Sequence, residues 1–376
     1  MIYVVEKGDT LSGIAVKFGV PVWKIVYDNQ LKDKNQIVPG QALLLLEVDE
    51  GQAEESTQPE LAKGKTIGGY AYPFIDKEIL EQSFPALKEL LVFSYGFTFE
   101  GNLVPPLQDD LWMIETAWRH GAKPIMVLTP FSEGAFNNQL VKVLTENVEV
   151  QERLLEQLTA EVRRRGFAGV NIDFEYVKKD FADDYLQFLR ELSIACQNNG
   201  LVLSVDNYKP ANHNAHYELA EQAVFVDYIV IMGYDEHYAG SDAGSVASLP
   251  FVEDGISRAV SMVPSEQVIN AVPFYTRIWT ENAGETKSRA VGMQAAMDAM
   301  QENGATAEWD ETTGQYYCTY ETSAGTVQIW FEEDRSIGEK MKLYSKYKLG
   351  GVAEWKLGLE TSSVWSIISN GLNYAS

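Results

Sequence analysis

AGVNIDFE, residues 168–175, is the stretch from which the architecture of most of this chain can be worked out. Side chains alternate in direction along a β-strand, so Asn171, Asp173 and Glu175 share one face, and the apolar residues between them share the other. Three polar groups on one buried face are costly unless they bond to each other or to a ligand. The stretch therefore predicts a strand that presents a polar row to a site, with Glu175 at its carboxyl end.

Apolar strands and amphipathic helices alternate on both sides of this stretch. Strand candidates lie at 66–74, 90–97, 124–129, 168–175, 201–208, 227–234, 268–275 and 350–355. Helical segments lie at 109–120, 147–165, 182–198, 214–223, 251–262, 291–303 and 336–347, with a weaker one at 78–89. Buried, β-branched strands that alternate with helices form parallel sheets, and eight such units in roughly 300 residues predict a (β/α)8 TIM barrel. An open, doubly wound sheet is the alternative.

One segment does not follow this alternation. Residues 308–333 read as two or three antiparallel strands, with turns at 312–314 and 323–325. They lie between the seventh and eighth strand candidates, so we expect a small α+β insertion at about 305–333. Such an insertion would form a wall above the carboxyl end of the barrel, where barrel active sites lie.

The first 47 residues form a separate pattern. A short strand at 2–5 is followed by a helix that ends at Gly19, a second helix that begins at Pro21, and a turn and strand at 37–46. This predicts a small βααβ domain.

The next segment, 48–65, is acidic and short of aromatic and β-branched residues. That composition predicts a solvated linker. The domain organisation is therefore expected to be 1–47, the linker 48–65, and the barrel 66–376.

Composition narrows the classes of function. The chain has 54 acidic and 30 basic residues and a formal charge of −24, which argues against binding nucleic acid or anionic membranes. Two cysteines and four histidines show no metal-ligand spacing, so we expect neither a metal nor another cofactor. The N-terminus lacks the features of a classical signal peptide, and no run approaches a membrane span. We expect a soluble monomer.

The spacing of the two carboxylates limits the chemistry. A retaining glycosidase with two catalytic carboxylates holds them roughly 5–5.5 Å apart across the bond that is cut. Asp173 and Glu175 are neighbours on one strand face, so Asp173 is badly placed as a nucleophile on the opposite side of the sugar. The alternative is substrate assistance, in which an N-acetyl carbonyl of the sugar attacks, Glu175 protonates the leaving oxygen and Asp173 orients the acetamide. The alternative to a catalytic role is a purely structural strand, whose acidic residues only form salt bridges.

The same residues resemble family 18 glycoside hydrolases, whose signature is D-G-x-D-x-D-x-E at the end of the fourth strand. Gly169, Asp173 and Glu175 match it, whereas Ala168 and Asn171 replace the first two aspartates. The resemblance implies that Glu175 is the acid and that Asp173 acts on the acetamide. Asn171 removes a carboxylate that could have been a partner of Asp173.

Further segments extend this resemblance over about 66–376. Met232, Tyr234 and Asp235 match the family's M-x-Y-D on the sixth strand, which implies that Tyr234 bonds the acetamide and Asp235 the sugar. Tyr275 and Arg277 belong to a stretch similar to P-F-Y-G-R-x-W on the seventh strand, in which a threonine replaces the glycine.

Two aromatic residues complete the expected sugar site. Trp355, at the end of the eighth strand, lies where the family has the floor of the −1 site. That site holds the sugar immediately before the cleaved bond. Tyr95, on the second strand, is a weaker candidate for a lining residue.

The N-terminal domain resembles the LysM module. The matching motifs are Y-V-V at 3–5, G-D-T-L at 8–11, I-A at 14–15 and I-x-P-G-Q at 37–41. The resemblance implies binding of glycans that contain N-acetylglucosamine, through residues near Gly8, Asp9, Thr10, Leu11, Ile37 and Pro39. A small domain without a ligand is the alternative.

A LysM module joined to such a barrel resembles the spore cortex-lytic N-acetylglucosaminidases. That resemblance implies a peptidoglycan hydrolase that cuts β-1,4 bonds after N-acetylglucosamine and is associated with the cell wall or the spore. A chitinase or another N-acetylhexosaminidase would use the same residues on a chitin-like glycan. An inactive glycan-binding lectin is a third possibility, against which the retained Glu175, Asp173 and Tyr234 weigh.

Overall fold

The structure is a computed structural model. It describes residues 2–20, 22, 25, 26, 29, 31, 37–45, 65–132 and 135–373. Its contacts divide the chain into two compact units, Met1–Glu60 and Leu61–Ser376. The predicted linker, 48–65, lies outside the described residues apart from Lys65.

The N-terminal unit pairs two short strands across a helix. Its elements are β1 (Ile2–Val4), α1 (Leu11–Phe18) and β2 (Ala42–Leu44), and β1 and β2 are antiparallel. The Thr10 hydroxyl accepts a hydrogen bond from the backbone N–H of Gly13 and begins α1, and Gly19, with φ of 67°, ends it. Val22, Ile25 and Val26 have helical backbone, as predicted, but the bounds of that second helix lie outside the described residues.

The second unit is a closed barrel. Its parallel strands are β3 (Thr66–Ala71), β4 (Glu89–Phe97), β6 (Lys123–Leu128), β9 (Gly169–Ile172), β10 (Val202–Tyr208), β11 (Tyr228–Met232), β12 (Val268–Pro273) and β18 (Gly351–Trp355). They follow one another around the barrel in chain order, and β3 closes it by pairing with both β4 and β18. The predicted TIM barrel is confirmed, and the open sheet is excluded.

Helices cover the outside of the barrel, except that the helix Met293–Glu302 packs against the insertion sheet described below. Their bounds are α2 (Lys77–Ser83), α3 (Leu111–Arg119), α4 (Asn138–Glu146), α5 (Val148–Arg165), α6 (Ala182–Asn198), α7 (Leu219–Phe225), α8 (Leu249–Val260), α9 (Met293–Glu302), α10 (Asp334–Tyr347) and α11 (Val364–Asn373). The sequence pattern predicts no helix at α4 or α11. Short antiparallel strands extend the loops of the carboxyl end: β5 (Leu103–Val104), β7 (Phe131–Ser132) and β8 (Ala135–Phe136).

Two separate cores show which side chains point into the barrel. The outer core lies between strands and helices and includes Val170, Ile172 and Phe174. The inner core includes Tyr70, Phe93 and Val230, with Tyr234 and Trp355 packed against it. The alternation along β9 is therefore the predicted one, with apolar residues facing the helices.

The insertion between the seventh and eighth barrel strands is a five-stranded antiparallel sheet. Its strands are β13 (Tyr275–Asn282), β14 (Glu285–Gly292), β15 (Glu308–Asp310), β16 (Gln315–Thr322) and β17 (Gly325–Phe331). The predicted insertion, at about 305–333, covers β15–β17. The hairpin β13–β14 also belongs to this sheet, because β13 pairs with β17 after leaving the barrel.

A buried ion pair joins this insertion to helix α10. The Lys340 ammonium donates to both carboxylate oxygens of Glu332 at 2.9 Å, and both side chains are 0% exposed. Gln315 and Ser336 donate to the same carboxylate at 2.7 Å and 2.9 Å. The four groups satisfy one another, as buried charges require.

We expect Lys340→Met to lower the free energy of unfolding of the chain by about 3–5 kcal/mol, because it leaves the Glu332 carboxylate buried without its cation. Chemical denaturation measures this. Lys342→Met is the matched control on the same helix: Lys342 is 70% exposed and pairs with Glu339 at the surface, so its loss should cost under about 1 kcal/mol. Equal losses from the two variants would contradict the importance of the buried pair.

Candidate active site

Strand β9 ends in a polar row that points into the barrel. Asn171 is fully buried, and its amide donates to the Ser204 hydroxyl at 3.0 Å and to Asp206 Oδ1 at 2.8 Å. Both partners lie on the neighbouring strand β10. The Asn171 side chain is therefore fixed by a second polar strand rather than by solvent.

Asp173 follows directly after β9. Its backbone N–H donates to the carbonyl oxygen of Leu128 at 3.0 Å, which continues the strand pairing by one residue. The side chain is 5% exposed, and among the described residues Oδ1 has no hydrogen-bond partner. Burial raises the pKa of Asp173 well above its ordinary value, and the nearby carboxylates Asp206 and Glu175 raise it further.

Glu175 is the outermost group of the row and is half-buried. The Tyr208 hydroxyl donates to Glu175 Oε2 at 2.6 Å. Burial raises the pKa of Glu175; the Tyr208 hydrogen bond lowers it, and the charge of Asp235 raises it. A carboxyl with a raised pKa and partial access to solvent is suited to donate a proton to a departing group.

The loop after β11 brings Tyr234 and Asp235, and the start of β13 brings Tyr275, to the same end of the barrel. The Tyr275 hydroxyl donates to Asp235 Oδ1, and the rings of Tyr234 and Tyr275 meet at 6.2 Å. Burial raises the pKa of Tyr234 well above its ordinary value, with smaller contributions from Tyr275, Asp206 and Asp173. Tyr234 therefore stays a neutral hydroxyl that can donate a hydrogen bond. Met232 is the last residue of β11, paired with Tyr208.

Trp355 closes the inner core at the carboxyl end of β18. Its ring contacts Phe93 at 4.8 Å, Tyr70 at 5.6 Å and Tyr72 at 6.2 Å. The side chain remains partly exposed. An aromatic face held in this way forms a floor on which a sugar ring can stack.

Arg277 lies on the insertion sheet, two residues after Tyr275 on β13, so the two side chains share a strand face. Its guanidinium donates to the Ser288 hydroxyl at 2.9 Å and lies 6.0 Å from the Trp279 ring. The structure thus places Arg277 on the insertion sheet and not in the polar row of β9 and β10.

The structure does not bring Tyr95 to the site. Its side chain is fully buried in the outer core, and its hydroxyl donates to Asp110 Oδ2 at 2.8 Å. The pairing of β4 with β6 shifts register between Val92 and Tyr95. Such a bulge reverses the alternation of side chains, so a residue expected to point into the barrel points toward the helices.

Several residues of the polar cluster were not singled out from the sequence. On β10 they are Ser204, Asp206 and Tyr208, and on β3 it is Tyr70, whose hydroxyl donates to Asp206 Oδ1 at 2.7 Å. In the stretch LSVDNY, 203–208, side chains with polar groups recur at every second position, 204, 206 and 208. Three of the four residues could therefore have been predicted in the same way as the row on β9.

The predicted LysM residues lie at one end of the β1–β2 pair, because Val4 pairs with Ala42. Gly8, Thr10 and Pro39 are exposed. Asp9 Oδ2 accepts from the Tyr3 hydroxyl at 2.7 Å, so this carboxylate is occupied locally.

The other two predicted LysM residues are less accessible. Ile37 is partly buried, and the Leu11 side chain belongs to the domain core at 3% exposure. Leu11 can therefore offer a glycan only its backbone.

Within the described residues, no group of three or more His, Cys, Asp or Glu side chains has a geometry that could hold a metal ion. No described helix is long and apolar enough to cross a membrane. The chemistry available at the site is proton transfer by carboxyl groups, hydrogen bonding by tyrosines and stacking on Trp355.

Comparison with known proteins identifies the family of this site. Residues 126–360, more than half of the chain, match the family model of glycosyl hydrolases family 18. The chain belongs to this family. It is therefore a glycoside hydrolase, as the sequence analysis expected. Residues 3–45 match the LysM domain model, so the N-terminal domain is a LysM domain and the chain binds glycans.

Relatives extend over nearly the whole chain. A cortical fragment-lytic enzyme of Bacillus subtilis (strain 168) is 27% identical over 430 residues, which cover 99% of this chain and 98% of the relative. The structure of the spore cortex-lytic enzyme SleL of Bacillus megaterium QM B1551 has a TM-score of 0.77 at 22% identity, covering 99% of this chain and 86% of that one. A chitinase of Chromobacterium violaceum ATCC 12472 has a TM-score of 0.75 at 22% identity, covering 82% and 99%. At these identities the two structures establish the fold alone.

Proposed function

We propose that this glycoside hydrolase acts on spore cortex peptidoglycan and cuts the β-1,4 bond that follows N-acetylglucosamine. The observation that carries the catalytic part is the arrangement of Asp173 and Glu175: one carboxyl is buried beneath the site, and the other is half-exposed above it with a raised pKa. The full-length similarity to a cortical fragment-lytic enzyme and the LysM domain support the substrate.

The geometry favours attack by the substrate itself. Asp173 and Glu175 approach the site from the same strand end, so neither faces the other across a sugar, as a separate nucleophile would need to. In the proposed first step, Glu175 transfers its proton to the leaving glycosidic oxygen while the acetamide carbonyl oxygen bonds to the anomeric carbon. Asp173 accepts a hydrogen bond from the acetamide N–H and stabilises the positive charge of the cyclic intermediate. In the second step Glu175 takes a proton from a water molecule whose oxygen bonds to the anomeric carbon, while the bond from that carbon to the acetamide oxygen breaks and the N-acetyl group is restored.

The surrounding residues are assigned roles by position. Tyr234 donates its hydroxyl to the acetamide carbonyl, and Trp355 stacks beneath the same sugar. Asp235, held by Tyr275, bonds a sugar hydroxyl, and Met232 packs at the end of β11.

Two further residues act at greater distance from the acetamide. Arg277 on the insertion wall contacts the part of the glycan that leaves the barrel. Asn171 lies below the sugar and holds the base of the polar row.

The test of substrate uses the intact chain on three polymers: spore cortex, vegetative cell wall and chitin. Mass spectrometry of the products identifies which sugar carries the new reducing end. Fragments that end in N-acetylglucosamine, released from cortex and not from chitin, are expected. Equal release from chitin would make the enzyme a chitinase, fragments that end in muramic acid would overturn the bond assignment, and no release from any polymer would favour a lectin.

We further propose that residues 1–47 are a separable glycan-binding domain that holds the enzyme on the wall or the spore. The LysM and barrel parts form compact units of their own, so each is expected to work without the other.

Deletion of residues 1–47 should weaken binding to insoluble peptidoglycan, measured by co-sedimentation, about tenfold or more. Two linked sites on one polymer bind more tightly than either alone, because binding at one site raises the effective concentration at the other. Cleavage of short soluble fragments should stay within about twofold, because those fragments do not reach a second site. A pull-down assay and a kinetic assay on the same preparation measure the two quantities. A large loss of cleavage on soluble fragments would contradict a separable role.

A further inference from the structure

Asp206 is a buried carboxylate, 5% exposed, that neither the sequence pattern nor the mechanism above uses. The family signature has an aspartate where this chain has Asn171. We propose that Asp206, on the neighbouring strand, supplies the carboxylate that Asn171 lacks and carries the resting negative charge of the active site. This inference rests on the proposed roles of Glu175 and Asp173.

The position of Asp206 follows from the strand register. Ser204 pairs with Asn171 and Val205 with Ile172, so Asp206 comes next on β10, level with Asp173. It points into the barrel, since Val205 belongs to the outer core. Its Oδ1 accepts from Asn171 at 2.8 Å, which places the carboxylate against the side chain that replaces the family's aspartate.

Hydrogen bonds favour a negative charge on Asp206 over one on Asp173. Asp206 accepts from both Tyr70 and Asn171, and these two hydrogen bonds stabilise the ionised form. Asp173 Oδ1 has no donor among the described residues. The directions of the pKa shifts agree: burial raises the pKa of Asp206 to about 7 with both hydrogen bonds lowering it, whereas that of Asp173 is raised well above its ordinary value.

Asn171 contacts Asp206 directly and precedes Asp173 in the inward-facing row. Its amide hydrogens are used by Ser204 and Asp206, and its carbonyl oxygen is buried without a partner among the described residues. With two donors at Asp206 and none at Asp173 Oδ1 among the described residues, the arrangement fits an ionised Asp206 and a protonated Asp173 in the resting enzyme.

The titratable groups that interact with Asp206 come from several elements. They are Tyr70 on β3, Asp173 and Glu175 after β9, Tyr185 on α6, Tyr228 on β11 and Tyr234 after it. The tyrosines stay neutral at the pH of activity, so the three carboxyl groups share the protons that titrate. A negative charge on Asp206 opposes ionisation of the other two and stabilises positive charge that develops on the substrate. Asp206 acts through Asn171 and Asp173 and is a positioning residue.

The test first removes the carboxylate from β10 and then, in a double variant, places one on the neighbouring strand β9. Asp206→Asn should lower kcat by about 10- to 100-fold, less than the ~10²–10³-fold expected for a group that touches the charge itself. The acidic limb of the kcat/KM profile should move to higher pH by about one unit, because the first negative charge must then form on Asp173, which has no donor at Oδ1. The double variant Asn171→Asp/Asp206→Asn places a carboxylate beside Ser204 and the new amide, and should restore the acidic limb and part of the rate.

Asp227→Asn is the matched control, since Asp227 is a part-buried aspartate at the opposite end of the barrel that accepts from the backbone N–H of Leu203. Its pH profile should match that of the parent chain, and thermal unfolding checks that all variants fold. An unchanged profile in Asp206→Asn, or a double variant no better than the single one, would overturn the inference. If Glu175→Gln still cleaves glycan, the proposed function fails instead, so the two failures are distinguishable.

Discussion

Glu175→Gln is expected to lower kcat on peptidoglycan fragments by about 10³-fold or more, at the upper range for loss of a general acid. Glutamine keeps the shape of the side chain and can still accept a hydrogen bond from the Tyr208 hydroxyl. It has no acidic proton to give to a leaving sugar oxygen. Binding of the glycan should survive, because the stacking surface of Trp355 and the LysM domain are unchanged. Initial rates and a pull-down assay on the same preparation measure the two effects.

The control for this change is Glu152→Gln, on the exposed face of α5. It carries the same substitution away from the site and should leave both rate and binding as they are. Comparable turnover by Glu175→Gln and the parent chain would remove Glu175 from its proposed role. Loss of binding together with turnover would indicate that the substitution disturbs the site rather than the chemistry.

Asp173→Asn is expected to lower kcat by about 10²–10³-fold, as loss of one preorganised charge-stabilising group does. The amide can still hydrogen-bond the acetamide, so KM should change much less than kcat. The reason is that a carboxyl able to become a carboxylate gains most where positive charge develops, in the transition state. Steady-state kinetics on a soluble fragment separate the two constants.

The same variant is expected to be more stable than the parent at neutral pH. The pKa of Asp173 is raised by burial in the folded chain. As the pH rises above the ordinary aspartate value, ionisation therefore lowers the free energy of the unfolded state but not that of the folded state, which destabilises the fold. Asparagine removes this difference. The gain in melting temperature should vanish below about pH 4, where both states are protonated. Asp298→Asn, exposed on α9, should show no such pH-dependent gain; a variant of Asp173 that is less stable at every pH would contradict the argument.

The barrel and the row on β9 could be predicted because both depend on local alternation. Each barrel strand is a short apolar run followed by a helical pattern, and such runs are recognisable one at a time. The row 171–173–175 is visible for the same reason, since its direction follows from period two alone.

What could not be predicted depends on pairing between distant segments. Tyr95 was expected to point into the barrel, but a register shift within β4 turns it outward, and no feature of β4 alone gives the position of that shift. The hairpin β13–β14 joins the insertion sheet because β13 pairs with β17, with partners 45 to 51 residues apart in the chain. The contacts of Asp206 join three strands, and only the closed barrel brings these together.

The central claim is that the acetamide of the substrate, and not a side chain, attacks the anomeric carbon. The most direct measurement is kcat on a series of soluble substrates whose N-acetyl group carries zero, one, two or three fluorine atoms. Fluorine withdraws electrons from the carbonyl oxygen, so kcat should fall steeply through the series and be nearly lost for the trifluoroacetyl substrate. A kcat that stays level across the series would show that the carbonyl is not the nucleophile and would contradict the account.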